Sequence, residues 1–328
     1  MHAETTGSVL MRELVRHATL APSSHNTQCW TFSVAERSVA IHPDLSRRCP
    51  AVDPDDHHLF VSLGCAAENL VQASLANGLQ GAVVFKSAPT DVVKIGLDRT
   101  RAVASPLFEA IAQRQCTRAE FDGKALSNAE LRQLELAAAG TGVRVVLLTE
   151  TAMTEKVLEY VVAGNSRQMD DPAFMKELKQ WIRFSDAEAV RTGDGLATRA
   201  TGNPSLPRWL AGPLFSLFVS ADSENDKYAK HVRSSAGIGV FVSDVDDKAH
   251  WVEAGRCYER FALQATALGI RTAFLNQPVE VASLRPQFAS LVGVAGLRPD
   301  LVVRFGRGPL MPGSLRRDVA AVLSQDST

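Results

Sequence analysis

No two cysteines in this chain are spaced as CxxC, and the five present (Cys29, Cys49, Cys65, Cys116 and Cys257) are odd in number. Neither a disulfide framework nor a paired-cysteine zinc site is implied, and a reducing compartment fits best. An excess of charge of one sign is also missing: 35 basic residues against 36 acidic ones leave a formal net charge of -1 over 328 residues, which supplies no global field for nucleic acid or an anionic membrane. No hydrophobic run approaches the roughly 20 residues of a membrane span. The opening residues, MHAETTGSVLMRELVRH, show no basic stretch followed by an apolar one. The expectation is a soluble, unexported, cytoplasmic chain of one large or two modest domains, without a nucleic-acid or membrane partner. Nucleotide and hydrolase signatures are absent as well. The pairs Gly237-Ile238-Gly239 and Gly306-Arg307-Gly308 lack a third glycine and a following acid, Asp194 in GDGLATRATG has no Lys-Ser/Thr partner, and no GxSxG elbow occurs.

What is present reads as two related units. Leu10, Met11, Leu14 and Val15 share one face of a helix that should end before Pro22. Two short strands follow around a turn at residues 35–38. A long buried helix comes next, with Asp53 as its expected N-cap, Pro54 at its first position and Gly78 at its stop. The strands VVFKSAP and VVKIGLD close a first unit near residue 100. The second unit, 101–328, opens with a helix reaching about Arg114, then a helix at 127–139, the strand VRVVLLTE and a helical stretch at 154–184 broken near Asp170-Asp171-Pro172. From 185 to about 232 a Gly-, Pro-, Thr- and Ser-rich insertion reads as a lid, binding loop or interface arm. Strand GIGVFVSD, helix 248–268, strand TAFLNQ, helix 282–291, strand DLVVRFG and a short last helix complete it. NLVQASLANGLQGAVVF and ERFALQATALGIRTAFL follow one plan, a buried helix ended by glycine and followed by a strand. That plan predicts an internally duplicated α+β fold, with two halves packed as the subunits of a homodimer would be.

Three clusters carry possible chemistry. In APSSHNTQCW, residues 21–30, Ser23 or Ser24 with His25 makes a poor nucleophile and base, because adjacent residues rarely present one hydrogen-bonded pair. Asp53, Asp55, Asp56, His57 and His58 admit a metal, but they coincide with a helix start, where the dipole favours acids; capping is the preferred reading and no metal is expected. In RQCTR, Arg114 and Arg118 flank a small polarizable residue and are able to grip a phosphate monoester with charge-assisted hydrogen bonds, as is the pair Arg316-Arg317. The competing reading of either pair is solvated surface arginine.

APSSHNTQCW resembles the PSSxNxQPW segment of the FMN-dependent nitroreductase family, and RQCTR resembles its R-x-S-x-[KR] phosphate segment. NQPVE, residues 276–280, is similar to the family's Pro-x-Glu segment, and SLRR to its basic carboxyl-terminal segment. The resemblance is strongest to the Acg subfamily, in which two nitroreductase-like halves, with central antiparallel or mixed sheets flanked by helices, are fused in one chain. It implies FMN as cofactor. Pro22, Ser23, Ser24, Asn26 and Gln28 would face the ribityl chain and the polar ring edge. Arg114, Gln115, Cys116 and Arg118 would hold phosphate and a ring carbonyl. Pro278, Val279 and Glu280 would bring a backbone N–H to flavin N5, and Arg316 with Arg317 would complete the phosphate site. The first half lacks R-x-S-x-R and the second lacks PSSxNxQ, so one composite site and one FMN per chain are expected. Cys29 and Cys116 depart from the family's Pro and Ser, and a thiol is a weaker donor than a hydroxyl.

The implied activity is oxidoreduction: NAD(P)H gives hydride to the flavin, and a small aromatic acceptor, nitroaromatic or quinone, removes the electrons, with no side chain acting as catalyst. The alternative is a weak or inactive FMN-storing protein whose flavin is covered by the 185–232 segment through Trp209, Leu210, Phe215 and Phe218. The expected assembly is a monomer acting as a pseudo-dimer, with further self-association left open.

Overall fold

The computed structural model describes residues 6–201, 205, 206, 208, 209 and 220–324. The first part of the chain forms α1 (Thr6–Thr19), β1 (Trp30–Ala35), β2 (Ser38–Pro43), α2 (His57–Ala76), β3 (Leu79–Lys86) and β4 (Val92–Arg99). Then come α3 (Pro106–Ala110), α4 (Asn128–Ala137) and β5 (Val143–Leu148). A long connection carries α5 (Thr151–Asp170), α6 (Pro172–Trp181), β6 (Ile182–Arg183), α7 (Asp186–Thr192), β7 (Leu196–Ala197) and α8 (Ala221–Arg233). The rest is β8 (Gly237–Ser243), α9 (Lys248–Ala267), β9 (Arg271–Phe274), α10 (Gln277–Glu280), α11 (Arg285–Leu291) and β10 (Arg298–Gly306).

Two four-stranded antiparallel sheets repeat one topology. The first has the order β1-β2-β4-β3 and the second β5-β8-β10-β9, so each joins its first, second, fourth and third strands. In each, one 20-residue helix, α2 or α9, lies between the second and third strands. Each such helix ends at a glycine with positive φ, Gly78 at 74° and Gly269 at 70°, a conformation glycine adopts without the Cβ penalty. The repeat seen in the sequence is therefore a repeat of structure.

The two long helices cross each other at the centre of the largest apolar core. Gly64 of α2 and Gly255 of α9 stand at that crossing. A Cβ on Gly64 would lie 1.9 Å from the Val252 carbonyl oxygen, and a Cβ on Gly255 would lie 1.9 Å from that of Val61. The contacts are reciprocal, which is the signature of a two-fold relation between halves. By length and composition α2 passes as a membrane-crossing helix, unlike the sequence expectation, but 78% of its apolar window is buried inside the protein.

The start of α2 also differs from the expectation. The helix begins at His57 with Asp56 as N-cap (φ 60°), not at Pro54. Asp53 still performs the capping chemistry: its carboxylate oxygens accept from the N–H groups of His58 (3.0 Å) and Leu59 (2.9 Å). A carboxylate reaching forward over a turn satisfies the same orphan donors as one placed directly before the helix.

The halves differ in two connections: residues 87–91 link β3 to β4, whereas β9 reaches β10 through α10 and α11, and the first-to-second strand link differs more. Two residues link β1 to β2, whereas the equivalent link from β5 to β8 runs through α5, α6, α7 and α8. The chain end departs from the second sheet altogether and lies against the first. Phe32 of β1 donates to the Val322 carbonyl (2.8 Å), and Ser324 donates back to the Phe32 carbonyl (2.8 Å).

Candidate functional site

The stretch 22–28 folds as a short 3-10 turn with unusual backbone. His25, Asn26 and Gln28 have φ of 49°, 55° and 54°, positions that cost non-glycine residues about 1–3 kcal/mol each unless their surroundings over-determine them. The surroundings do so. Asn26 donates to the carbonyls of Gly195 (3.0 Å) and Leu315 (3.1 Å), and its own carbonyl accepts from Gly195 N–H (3.1 Å). Gln28 donates to the Gly193 carbonyl (2.8 Å) and accepts from the Arg317 N–H (2.9 Å). Ser23 Oγ accepts from Gln28 N–H (2.9 Å). The wall is locked by its own turn and by two distant segments, the 193–195 loop and residues 315–317.

RQCTR follows a helix shorter than expected, since α3 ends at Ala110. It runs beside β9, where Cys116 bridges Thr272 in parallel and Thr117 donates to the Thr272 carbonyl (2.9 Å). Arg304 of β10 holds this loop from below, donating to the carbonyls of Thr117 (2.9 Å) and Ala119 (2.8 Å) while stacking 4.0 Å from the centre of the Phe121 ring. Arg304 is 1% exposed, and burial pulls its guanidinium down to about 10.

Both segments open onto one cavity of about 580 Å³. Of the residues expected at the site, Pro22, Ser23, Ser24, Cys116, Arg118 and Glu280 line it. His25 lines it too; burial first, then Arg118, pushes its imidazole down to about 4, so the ring is neutral at physiological pH. Arg118 has no hydrogen-bond or ion-pair partner among the described residues and is half-buried, a cation held ready for an anion. Glu280 is half-buried, and desolvation lifts its carboxyl above the usual range against His58 and the Gln168 amide, which donates to it at 2.7 Å.

The other expected residues do other work. Arg316 donates to the carbonyls of Thr19 (2.8 Å), Leu20 (3.0 Å) and Ala21 (3.1 Å) and to Asn26 Oδ1 (3.0 Å), closing the carboxyl end of α1. Arg114 pairs with Glu259 (3.1 Å) and donates to Leu20 (2.8 Å), and Arg317 donates to the carbonyls of Gln28 (3.3 Å) and Ala321 (2.7 Å). Three of the four arginines expected to hold phosphate are thus committed to backbone carbonyls or a buried carboxylate. Gln115 clasps the backbone of Met311 through both its N–H (2.8 Å) and its carbonyl (3.1 Å). Pro278 and Val279 are buried behind the cavity, and the N–H groups of Val279 (2.9 Å) and Glu280 (2.8 Å), expected at flavin N5, are bonded to the Asn276 carbonyl.

Several lining residues escaped the sequence reading. Glu224, Lys227, Tyr228 and His231 fall at helical spacing on the cavity face of α8, and Asn165 and Gln168 do the same on α5. Polar residues at that spacing read as a solvated face. Arg304 had a usable signal, a lone arginine inside the apolar run LVVRF. The connection supplies an apolar lobe through Phe174, Leu178, Ile182, Phe184, Leu196 and Leu206. Of the aromatic cover expected from the sequence, Leu210, Phe215 and Phe218 lie outside the described residues, and Trp209 is 78% exposed.

Asp194 fastens this connection to the first half. It pairs with Arg183 (2.6 Å) and with Arg47, and both guanidinium groups lie over the Trp181 ring, at 5.6 and 5.3 Å. Burial alone would raise the Asp194 carboxyl, but the two arginines hold it below the ordinary range.

An α+β protein of two equivalent halves, with one composite cavity between them, is the class these features define. No protein-family model matches the chain. Two proteins of Mycobacterium tuberculosis strain H37Rv, both named provisionally as NAD(P)H nitroreductases, align over nearly its whole length: Rv3131 is 25% identical, covering 95% of this chain and 90% of its own, and acg is 24% identical, covering 95% of each. Among solved structures, an FMN-bound nitroreductase of Desulfitobacterium hafniense is 15% identical with a TM-score of 0.45, covering 68% of this chain and 100% of its own. NfnB of Mycobacterium smegmatis, in complex with NADPH, is 13% identical with a TM-score of 0.40, covering 62% and 87%. The chain is thus similar over nearly its whole length to Rv3131 and acg, and its own fold is repeated within it.

Proposed function

We propose that the chain is an FMN-dependent oxidoreductase that moves electrons from NAD(P)H to a small aromatic acceptor, nitroaromatic or quinone, using one FMN bound between its halves, 1–100 and 101–328. The observation that carries this reading is the composite cavity: residues 22–25 of the first half meet Cys116, Arg118 and Glu280 of the second around one volume. Its size falls within the roughly 300–1,000 Å³ of small-molecule sites. The names of the full-length relatives support the same chemistry.

The residues present fit a planar group with a polar edge and an anionic end. Gln277 Oε1 is buried without a hydrogen-bond partner among the described residues, and a polar atom left so is costly unless a ligand meets it. Arg118 would take the phosphate, with Arg304 fixing the loop that carries it. The turn 22–25 and Gln277 would face the polar ring edge, and the apolar lobe from the connection would exclude water from the ring. Bound FMN supplies hydride acceptance and release, so the chain contributes position and electrostatics.

A second reading follows from the connection itself. α6, residues 182–198 and Leu206 wall one side of the cavity, and the 193–195 loop is latched to Asn26, Gln28 and Arg47. Such a cover suits a protein that binds FMN and shields it from substrates. Anaerobic rapid mixing of the FMN-loaded protein with NADPH or NADH separates the two. Rapid bleaching of the flavin's visible absorbance, restored by a quinone, is the expected result. Reduction by dithionite alone would favour storage, and failure to bind FMN would remove both readings.

A further inference from the structure

Three side chains from distant segments converge where His25 lines the cavity. His25 comes from the 22–28 turn, Cys49 from the loop before α2, and Glu177 from α6 of the connection. An imidazole nitrogen, the thiol sulfur and a carboxylate oxygen lie within 4.8 Å of one another. Cys49 is 4% exposed and Glu177 8%.

Two of the three, His25 and Glu177, are in an unusual state. His25 Nε2 is buried with no hydrogen-bond partner among the described residues. It is held there by a left-handed backbone that a histidine adopts only at a cost. Glu177 has no cationic partner among the described residues. Its two oxygens each accept one backbone N–H, from Ala51 (2.9 Å) and Val52 (3.2 Å), which orients the carboxylate and leaves further lone pairs on it. Buried carboxylates without a counter-charge are expensive. The other such grouping among the described residues, Asp53, His57 and His58, is explained from within: Asp53 caps α2, and His57 is bonded to Asp300 (2.9 Å). No partner of that kind accounts for His25.

We propose that His25, Cys49 and Glu177 form a binding site for one borderline divalent cation of the zinc class at the His25 edge of the cavity, tested below without flavin. One nitrogen, one sulfur and one oxygen ligand with a fourth position free is a set that zinc accepts and that magnesium and calcium do not favour. Binding replaces the Cys49 S–H bond with a metal–thiolate bond and releases that proton to solvent. The ion would supply the missing counter-charge to Glu177 and fasten α6 to the 22–28 turn. Nothing in the local spacing of the sequence marks the site, because its ligands come from three segments that only the fold brings together.

The probe is cobalt(II), titrated into metal-stripped, full-length protein. The expected result is one equivalent bound, with a near-ultraviolet thiolate-to-cobalt charge-transfer band, visible bands of tetrahedral intensity, and loss of both when zinc(II) is added. Cys49→Ser should abolish the charge-transfer band. His25→Ala and Glu177→Gln should each weaken zinc binding by about tenfold or more, the loss seen even when a supporting group is removed. Circular dichroism of each metal-free variant shows that it is folded. Absence of the band in the parent protein overturns the proposal, as does its persistence in Cys49→Ser or unchanged zinc affinity in the other two variants.

Discussion

Gly64 and Gly255 face each other's helix so closely that a methyl group on either would sit 1.9 Å from a carbonyl oxygen of its neighbour. Neither carbonyl can move without distorting its own helix. Gly64→Ala or Gly255→Ala should therefore destabilise the fold by about 3 kcal/mol or more, at the upper end of overpacking costs. Because the contacts are reciprocal, the two losses should be similar. Thermal unfolding of both variants checks this, and an unchanged melting temperature in either would show that the crossing is looser than described.

Arg118 and Arg316 separate binding from folding. Arg118 lines the cavity without a partner among the described residues, so Arg118→Ala should leave the melting temperature within a degree or two of the parent value while weakening FMN binding by about 1.5–3 kcal/mol, the range for hydrogen bonds to a charged group. Arg316 serves the carbonyls of Thr19, Leu20 and Ala21, so Arg316→Ala should cost about 3 kcal/mol of stability. Flavin fluorescence titration beside thermal melts distinguishes the two.

Asp194 joins Arg183 and Arg47 across the connection. Asp194→Asn keeps the shape but leaves two guanidinium groups facing each other over Trp181, a loss of about 3 kcal/mol on the scale of broken buried pairs. The prediction is faster proteolysis within residues 172–201 and faster FMN release, read by limited digestion and by flavin fluorescence. Unchanged rates would show that the clasp does not govern the cover.

Asp300 carries a pH dependence whose sign is fixed. Burial lifts its carboxyl to about 7 in the folded protein, against Ser243, which donates to it at 2.6 Å; the unfolded value is about 3.9. The folded state then holds the proton more tightly than the unfolded one between those values. The group's contribution is complete below about 4 and lost as pH rises to about 7. The depressed imidazoles of His57, His58 and His231 act in the opposite sense, so the parent alone does not isolate the effect. Asp300→Asn removes it: from about pH 5 to about pH 8 the variant's melting temperature should fall less than the parent's. Parallel curves would refute the assignment.

The sequence by itself determined the two α+β units, the long apolar helices with their terminal glycines, and the two segments, 22–25 and 116–118, that face each other across the cavity. These are local properties: hydrophobic period, turn chemistry and short motifs act over a few residues. It did not determine which polar side chains point into the cavity. By residue type Arg114, Arg316 and Arg317 cannot be told from Arg118, but these three are drawn to carbonyls at the end of α1, at Gln28 and Ala321, and to Glu259, partners supplied from far along the chain. Asn26 and Gln28 keep the motif's identity while their amides hold the 193–195 loop. The lining of α5 and α8, the support from Arg304 and the meeting of His25 with Cys49 and Glu177 were decided by the tertiary structure alone. A donor satisfies whichever acceptor the fold brings within about 3 Å, and no spacing along the chain encodes that choice.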